Sequence, residues 1–197
     1  MLTVNQTRLF AAALLLSVVA WQQPAQAQTS LTTTDLVRSL TGLQDTANVD
    51  VAALRRMAEE RARQPDNNAV DRPPIARQLY NLPQITLQID FNFDSAIIKP
   101  SSYPALGRIA DTLYHPVLLG YRFLIVGHTD AKGKRLYNLK LSQERADAVR
   151  EALVSVFRID PRRLLDVGLG EEQLQDPKHP DAAVNRRVQI VTIGKMK

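Results

Sequence analysis

The chain has 197 residues, 45% of them apolar, with 25 basic against 20 acidic side chains and no cysteine. That length suits one domain of ordinary size plus extra segments, and that apolar share builds a core but not a multispan membrane protein. Without cysteine there is no disulfide framework, thiolate zinc site, thiol catalysis or lipid attachment through sulfur.

The first segment reads as an address. Arg8 precedes the apolar run Leu9–Ala20, a polar stretch follows, and Ala25–Gln26–Ala27 supplies an A-x-A site. This order predicts a secretory signal over residues 1–27, cut after Ala27, so that the exported protein begins at Gln28. The rival reading is a retained anchor, which needs a span of roughly 20 apolar residues; the run here is shorter. Removing the signal leaves 24 basic residues against 20 acidic ones, a charge of +4. Residues 28–84 carry seven of each sign, so the surplus lies in residues 85–197. That balance is too mild to point to nucleic acid and is compatible with an acidic polymer.

Residues 28–84 form the N-terminal segment. Leu36, Leu40 and Leu43 share one helical face, and Asp50 is placed to cap a second short helix over residues 50–63. Gln64–Gln84, rich in Pro, Asn and Asp, reads as a linker or a strap over a domain surface. These pieces hold too few apolar residues to make a core alone.

From Ile85 the pattern sharpens. Ile85, Leu87, Ile89, Phe91 and Phe93 alternate, as in a strand with one buried face. A helix follows, opened by Ser and Pro, with Leu106, Ile109, Ala110 and Leu113 at helical spacing and a stop at Pro116. Residues 120–128 have the near-continuous apolar run of a central strand. A helix is expected over residues 137–157, a third strand over 163–170 and, after a polar loop, a last strand over 186–194. The order β-α-β-α-β-loop-β predicts an α/β two-layer sandwich. Its helices pack on a four-stranded mixed sheet, and short helices and a linker precede it.

One helix carries a charge in its apolar stripe. With Leu141 at zero and 100° per residue, Ala152, Val156, Val149 and Leu153 span about 20° to 120°. Arg145 falls at about 40°, inside that stripe, with Asn138 and Ser142 at about 60° and 100°. A guanidinium keeps its proton, so a half-buried one needs a partner. Asp130 ends the strand that feeds this helix, and Gly133 permits a tight return. Two readings stand: an internal Asp130–Arg145 salt bridge with Asn138 as helix cap, or a split site. In the split site the acid takes a ligand's ammonium and the arginine grips its carboxylate at two points, as suits the zwitterionic end of an amino acid.

These stretches also carry a family resemblance. Residues Phe91–Pro100, Gly127–Gly133, Tyr137–Val149, Arg163–Glu171 and Asn185–Ile190 together resemble the OmpA-like peptidoglycan-binding domain, in order and over nearly all of residues 85–197. Residues 1–84 lie outside the likeness. The resemblance implies a noncatalytic domain that binds peptidoglycan through the diaminopimelate of the peptide stem and needs no cofactor. It places the family's aspartate on Asp130 and its arginine on Arg145. Thr129 and Asn138 fall on supporting positions, and Phe93 and Asp94 on a strand-end pair beside the stem peptide. It further implies a periplasmic protein of a Gram-negative envelope, associated with the outer membrane and without a transmembrane span once the signal is cut. The alternative is an adaptor docked to an envelope protein through residues 28–84.

Other residues are weighed against plainer roles. His128, Asp130 and Ser142 suggest a hydrolase triad, but no nucleophile elbow is present. The histidines His115, His128 and His179 lack metal-ligand spacing, so no metal is expected. Gly168–Glu171 contains a lone G-x-G and reads as a turn, not a nucleotide loop. Arg186 and Arg187 open the last strand, where they either face the ligand rim or form salt bridges.

Overall fold

A computed structural model of the chain describes residues 32–42, 49–65, 68 and 72–196. The signal segment and Leu43 lie outside these residues. Helix α1 spans Thr33–Leu40 and opens on a capping box, in which Thr32 and Asp35 satisfy each other's backbone N–H. Helix α2 spans Val51–Arg63, and Asp50 caps it by accepting from the Ala53 N–H at 2.9 Å. Strand β1 is Gln84–Leu87, α3 is Tyr103–Leu113, β2 is Tyr121–Gly127 and α4 is Arg135–Ser155. Strands β3, Leu164–Gly168, and β4, Val188–Lys195, complete the sheet. Among the described residues no helix is long and apolar enough to cross a membrane.

The fold is α/β, with a mixed four-stranded sheet in the order β1-β4-β2-β3. Strands β2 and β3 run parallel on either side of α4 in sequence, and β4 is antiparallel to both β1 and β2. Side chains of β2 leave the sheet alternately, so its continuous apolar run needs cover on both faces. On one face Phe123 and Ile125 meet Leu106, Ile109 and Leu113 of α3 and Val149 and Leu153 of α4. Leu36 and Leu40 of α1 join the same cluster, and Thr192 Oγ1 on β4 donates to the Leu40 carbonyl at 2.8 Å. On the other face Leu124 and Val126 meet Leu54 and Ala58 of α2, with Ala76 and Leu79 from the segment before β1. The N-terminal pieces too poor in apolar residues to fold alone are therefore divided between the faces: α1 joins the α3–α4 side, while α2 and the segment before β1 close the other.

Two expectations are corrected. The strand read over residues 85–93 ends at Leu87. Beyond it the chain forms a tight hairpin in which Phe91 bridges Ile98, Asn92 N–H donates to the Ile97 carbonyl, and Lys99 N–H donates to the Asp90 carbonyl. Asp94 turns the tip with φ 52°, a left-handed conformation that Asp tolerates. Phe93 stands on that tip, 99% exposed, instead of facing the core. The second correction is at the end of α4, where Val156 lies past the last helical residue and is exposed.

Candidate functional site

The polar end of the α4 stripe lies over the C-terminal ends of β2 and β3. Asn138, one turn into α4, is buried and does not cap the helix. Its Nδ2 donates to the Lys132 carbonyl at 2.9 Å, to Glu171 Oε2 at 2.6 Å and, more weakly, to the Asp130 carbonyl at 3.3 Å. It thus ties down the turn after β2, in which Gly133 has φ 96°. Ser142 donates to the Leu139 carbonyl and accepts the Gly170 N–H, both at 2.8 Å. Thr129 is buried, its N–H bonded to the Gly170 carbonyl at 3.0 Å. Its hydroxyl has no hydrogen-bond partner among the described residues.

Asp130 and Arg145 do not form the internal bridge that one of the two readings supposed. Asp130 Oδ2 accepts from Arg186 Nη1 at 2.7 Å, and Oδ1 accepts the Lys132 N–H at 3.2 Å. The cause is topological. Strand β4 lies directly beside β2, and His128 N–H donates to the Arg187 carbonyl, so Arg186 arrives next to the end of β2 from more than fifty residues away. Sequence proximity paired Asp130 with the α4 arginine and named Arg186 for the ligand rim or a salt bridge without a partner.

Arg145 instead donates through Nε to the Ser95 carbonyl at 3.0 Å, with its guanidinium 4.9 Å from the centre of the Phe91 ring. Among the described residues no carboxylate lies within ion-pair distance of it. Burial pulls its pKa down, as does the neighbouring Arg186, while Tyr137, Asp130 and Asp94 draw it up. Tyr137 donates to Asp94 Oδ1 at 2.5 Å, which raises the tyrosine pKa and links the hairpin tip to α4. Phe93 points away into solvent, so of that motif pair only Asp94 is joined to the rest of the site.

Between the hairpin and the start of β4 lies a cleft of 240 Å³ lined by Phe91, His128, Arg145, Arg186 and Arg187, with Asp90 in its wall. Arg187 is buried, donates to the Asn185 and Gln173 carbonyls, and is lowered by burial to about 10, so it stays charged at neutral pH. The cleft is therefore cationic, and its two terminal Arg145 nitrogens are not consumed by the Ser95 bond. Such a wall favours an anion, above all a planar carboxylate met by a planar guanidinium.

The triad residues are each engaged elsewhere: His128 with Gln189 at 2.7 Å, Asp130 with Arg186, and Ser142 with Leu139 and Gly170. Among the described residues no cluster of His, Asp or Glu is placed to hold a metal ion. Gly170 has φ 52° in a turn after β3, which disposes of the nucleotide-loop reading.

His128 is buried, and burial together with Arg187 lowers its pKa well below 6.5. The folded state keeps it neutral while the unfolded chain takes up a proton below that value, so stability falls as pH drops beneath about 6.5. His128→Gln should flatten that decline in urea midpoints measured between pH 7 and 5. An unchanged slope would remove His128 as the source.

The fold and this rim define a mixed α/β domain with a cationic cleft at its strand ends. Residues 90–187 match the family model described as the OmpA family. Outer membrane protein A from Bordetella avium is 33% identical over 136 residues, covering 64% of this chain and 69% of that protein. The chain belongs to the OmpA family. Outer membrane porin F from Pseudomonas fluorescens is 37% identical over 108 residues, 54% of this chain but only 32% of the porin. A peptidoglycan-associated lipoprotein from Legionella pneumophila is 34% identical over 104 residues, 51% of this chain and 57% of the lipoprotein. The match thus spans about a third to two thirds of these relatives.

Sequence reasoning placed Asp130, Asn138 and Thr129 together and set Arg145 at the rim, but it missed Glu171 and Tyr137. Glu171 stood at the end of the matched Arg163–Glu171 stretch and was read only as part of a turn.

Proposed function

We propose that the protein binds peptidoglycan noncovalently, taking the diaminopimelate of a peptide stem, and so anchors an envelope assembly to the cell wall. The observation that carries this reading is Arg145: a half-buried guanidinium with no carboxylate at ion-pair distance among the described residues, facing a cationic cleft beside Asp130. The ligand's carboxylate fits the terminal nitrogens of Arg145, and its ammonium fits Asp130 Oδ1, which among the described residues accepts one backbone N–H. Thr129 Oγ1, buried and without a partner among the described residues, is available to a further polar group. Asn138 holds the turn, and Phe93 and Asp94 form the outer lip at the hairpin tip. Similarity to a peptidoglycan-associated lipoprotein supports the same reading, as it does a location in the periplasm near the outer membrane.

The adaptor reading gives residues 28–84 to a protein partner. The apolar faces of α1 and α2 are spent inside this chain's own core, which leaves such a partner chiefly their polar faces. On purified sacculi, wild-type protein should be retained, and free diaminopimelate or Asp130→Ala should each release most of it. Retention indifferent to both would move the site elsewhere. Muropeptides incubated with the protein should yield no new products by mass spectrometry; a new product would make it an enzyme.

A further inference from the structure

Beneath the turn that carries Asp130 lies a buried ionic cluster that the binding reading does not use. Glu171 and Glu172 lie in the turn just after β3, and their side chains are only 3% and 1% exposed. Arg135, in the first turn of α4, holds Glu172 through two bonds of 2.9 and 2.7 Å. Arg72 holds Glu171, with Nη1 at 2.8 Å from Oε1, and the same nitrogen lies 3.8 Å from Glu172. Two adjacent buried carboxylates need two cations, because an uncompensated buried charge is strongly destabilising.

The second oxygen of Glu171 accepts from Asn138, the side chain that also bonds the carbonyls of Lys132 and Asp130. A continuous path therefore runs from Arg72 through Glu171 and Asn138 to the turn bearing Asp130. Arg72 comes from outside the matched family segment, which begins at residue 90. Its segment is pinned nearby, where the Ala76 N–H donates to Gln173 Oε1 at 2.9 Å, and the α2 end is pinned where Arg135 Nη1 donates to the Gln64 carbonyl at 3.1 Å.

We infer that Arg72 is a positioning residue for the ligand site, acting through Glu171 and Asn138, so that the segment before β1 is part of the binding unit and not a tether. The inference rests on the proposed diaminopimelate site. Without Arg72, Glu171 either takes a proton or turns toward water. In both cases the Asn138 amide loses its charged acceptor and the turn loosens.

The test uses the full chain with Arg72→Met, Arg72→Lys and, as a comparison, Arg55→Met. The last variant removes a contact of similar length, from α2 to Asp166, away from the turn. Binding of a diaminopimelate-containing tripeptide is measured by calorimetry, and the Asn138 side-chain amide is followed by NMR. Arg72→Met should weaken binding roughly tenfold and shift that amide, Arg72→Lys should restore most of both, and Arg55→Met should change neither. If Arg72→Met does not fold, adding Glu171→Gln removes the stranded charge and should recover folding, while binding stays weak because the Asn138 amide still lacks its charged acceptor. Wild-type affinity and an unmoved amide in Arg72→Met overturn the inference, as does equal weakening by Arg55→Met, or a double variant that stays unfolded or binds like wild type. If the wild type does not bind the tripeptide, the binding reading falls, and the amide shift alone then decides whether Arg72 sets the turn.

Discussion

If the proposed site is right, Arg145→Ala should weaken binding of a diaminopimelate-containing peptide by roughly 100-fold, about 3 kcal/mol, because it removes the partly desolvated charge proposed to grip the ligand's carboxylate. Folding should hardly notice. The alanine variant loses a cation–π contact with Phe91 and one bond to the Ser95 carbonyl, each worth about 1 kcal/mol. It gains relief from the desolvation that already pulls this guanidinium's pKa down, and from repulsion by Arg186. Net stability should stay within about 1 kcal/mol of wild type. Arg145→Lys keeps the charge but not the planar pair of donors, so its affinity should fall between the two. Calorimetry with urea melts on the same samples separates the effects. An alanine variant that binds within twofold of wild type would show that the ligand does not use this side chain, and one that unfolds would make Arg145 a structural ion.

The largest stability loss is expected from Gly127→Ala and Gly168→Ala. Strands β2 and β3 end under α4 at these glycines. A β-carbon on Gly127 would overlap the Ser142 carbonyl, and one on Gly168 would overlap the backbone N and Cα of Gln143. Both obstacles are main chain within a helix, so no rotamer change relieves them. The Gly168 N–H also donates to Gln143 Oε1 at 2.8 Å, a bond that fixes the same contact from the side. Lifting α4 would part Leu141, Val149 and Leu153 from their core contacts and move Asn138 and Arg145 off the rim. Each substitution should cost roughly 3 kcal/mol or more and lower the melting temperature by about 10 °C. A shift under about 2 °C would mean that the helix sits farther from the sheet than these contacts require.

Much of this arrangement was legible in the chain. Leu106, Ile109 and Leu113 marked one helix, the run in β2 marked a central strand, and Asp50 was read correctly as a cap. Arg145 was conspicuous because a fixed charge broke an otherwise apolar stripe. What escaped was governed by long-range pairing. Alternation through Phe93 mimicked a longer strand, yet the hairpin bonds from Asn92 and Lys99 turn the chain before that residue can face inward. The partner of Asp130 came from the next strand in the sheet, an order that local spacing does not encode. The packing of α2 and of the segment before β1 had an unused signal. A strand such as β2, apolar on both faces, needs a second cover, and only residues before β1 were left to supply it.

A crystal structure of the full chain saturated with a diaminopimelate-containing tripeptide tests the site most directly. The expected complex places the ligand's carboxylate at hydrogen-bond distance from the terminal nitrogens of Arg145 and its ammonium on Asp130 Oδ1, with Arg186 still bound to Oδ2. An ordered head group that touches neither Asp130 nor Arg145 would contradict the assignment.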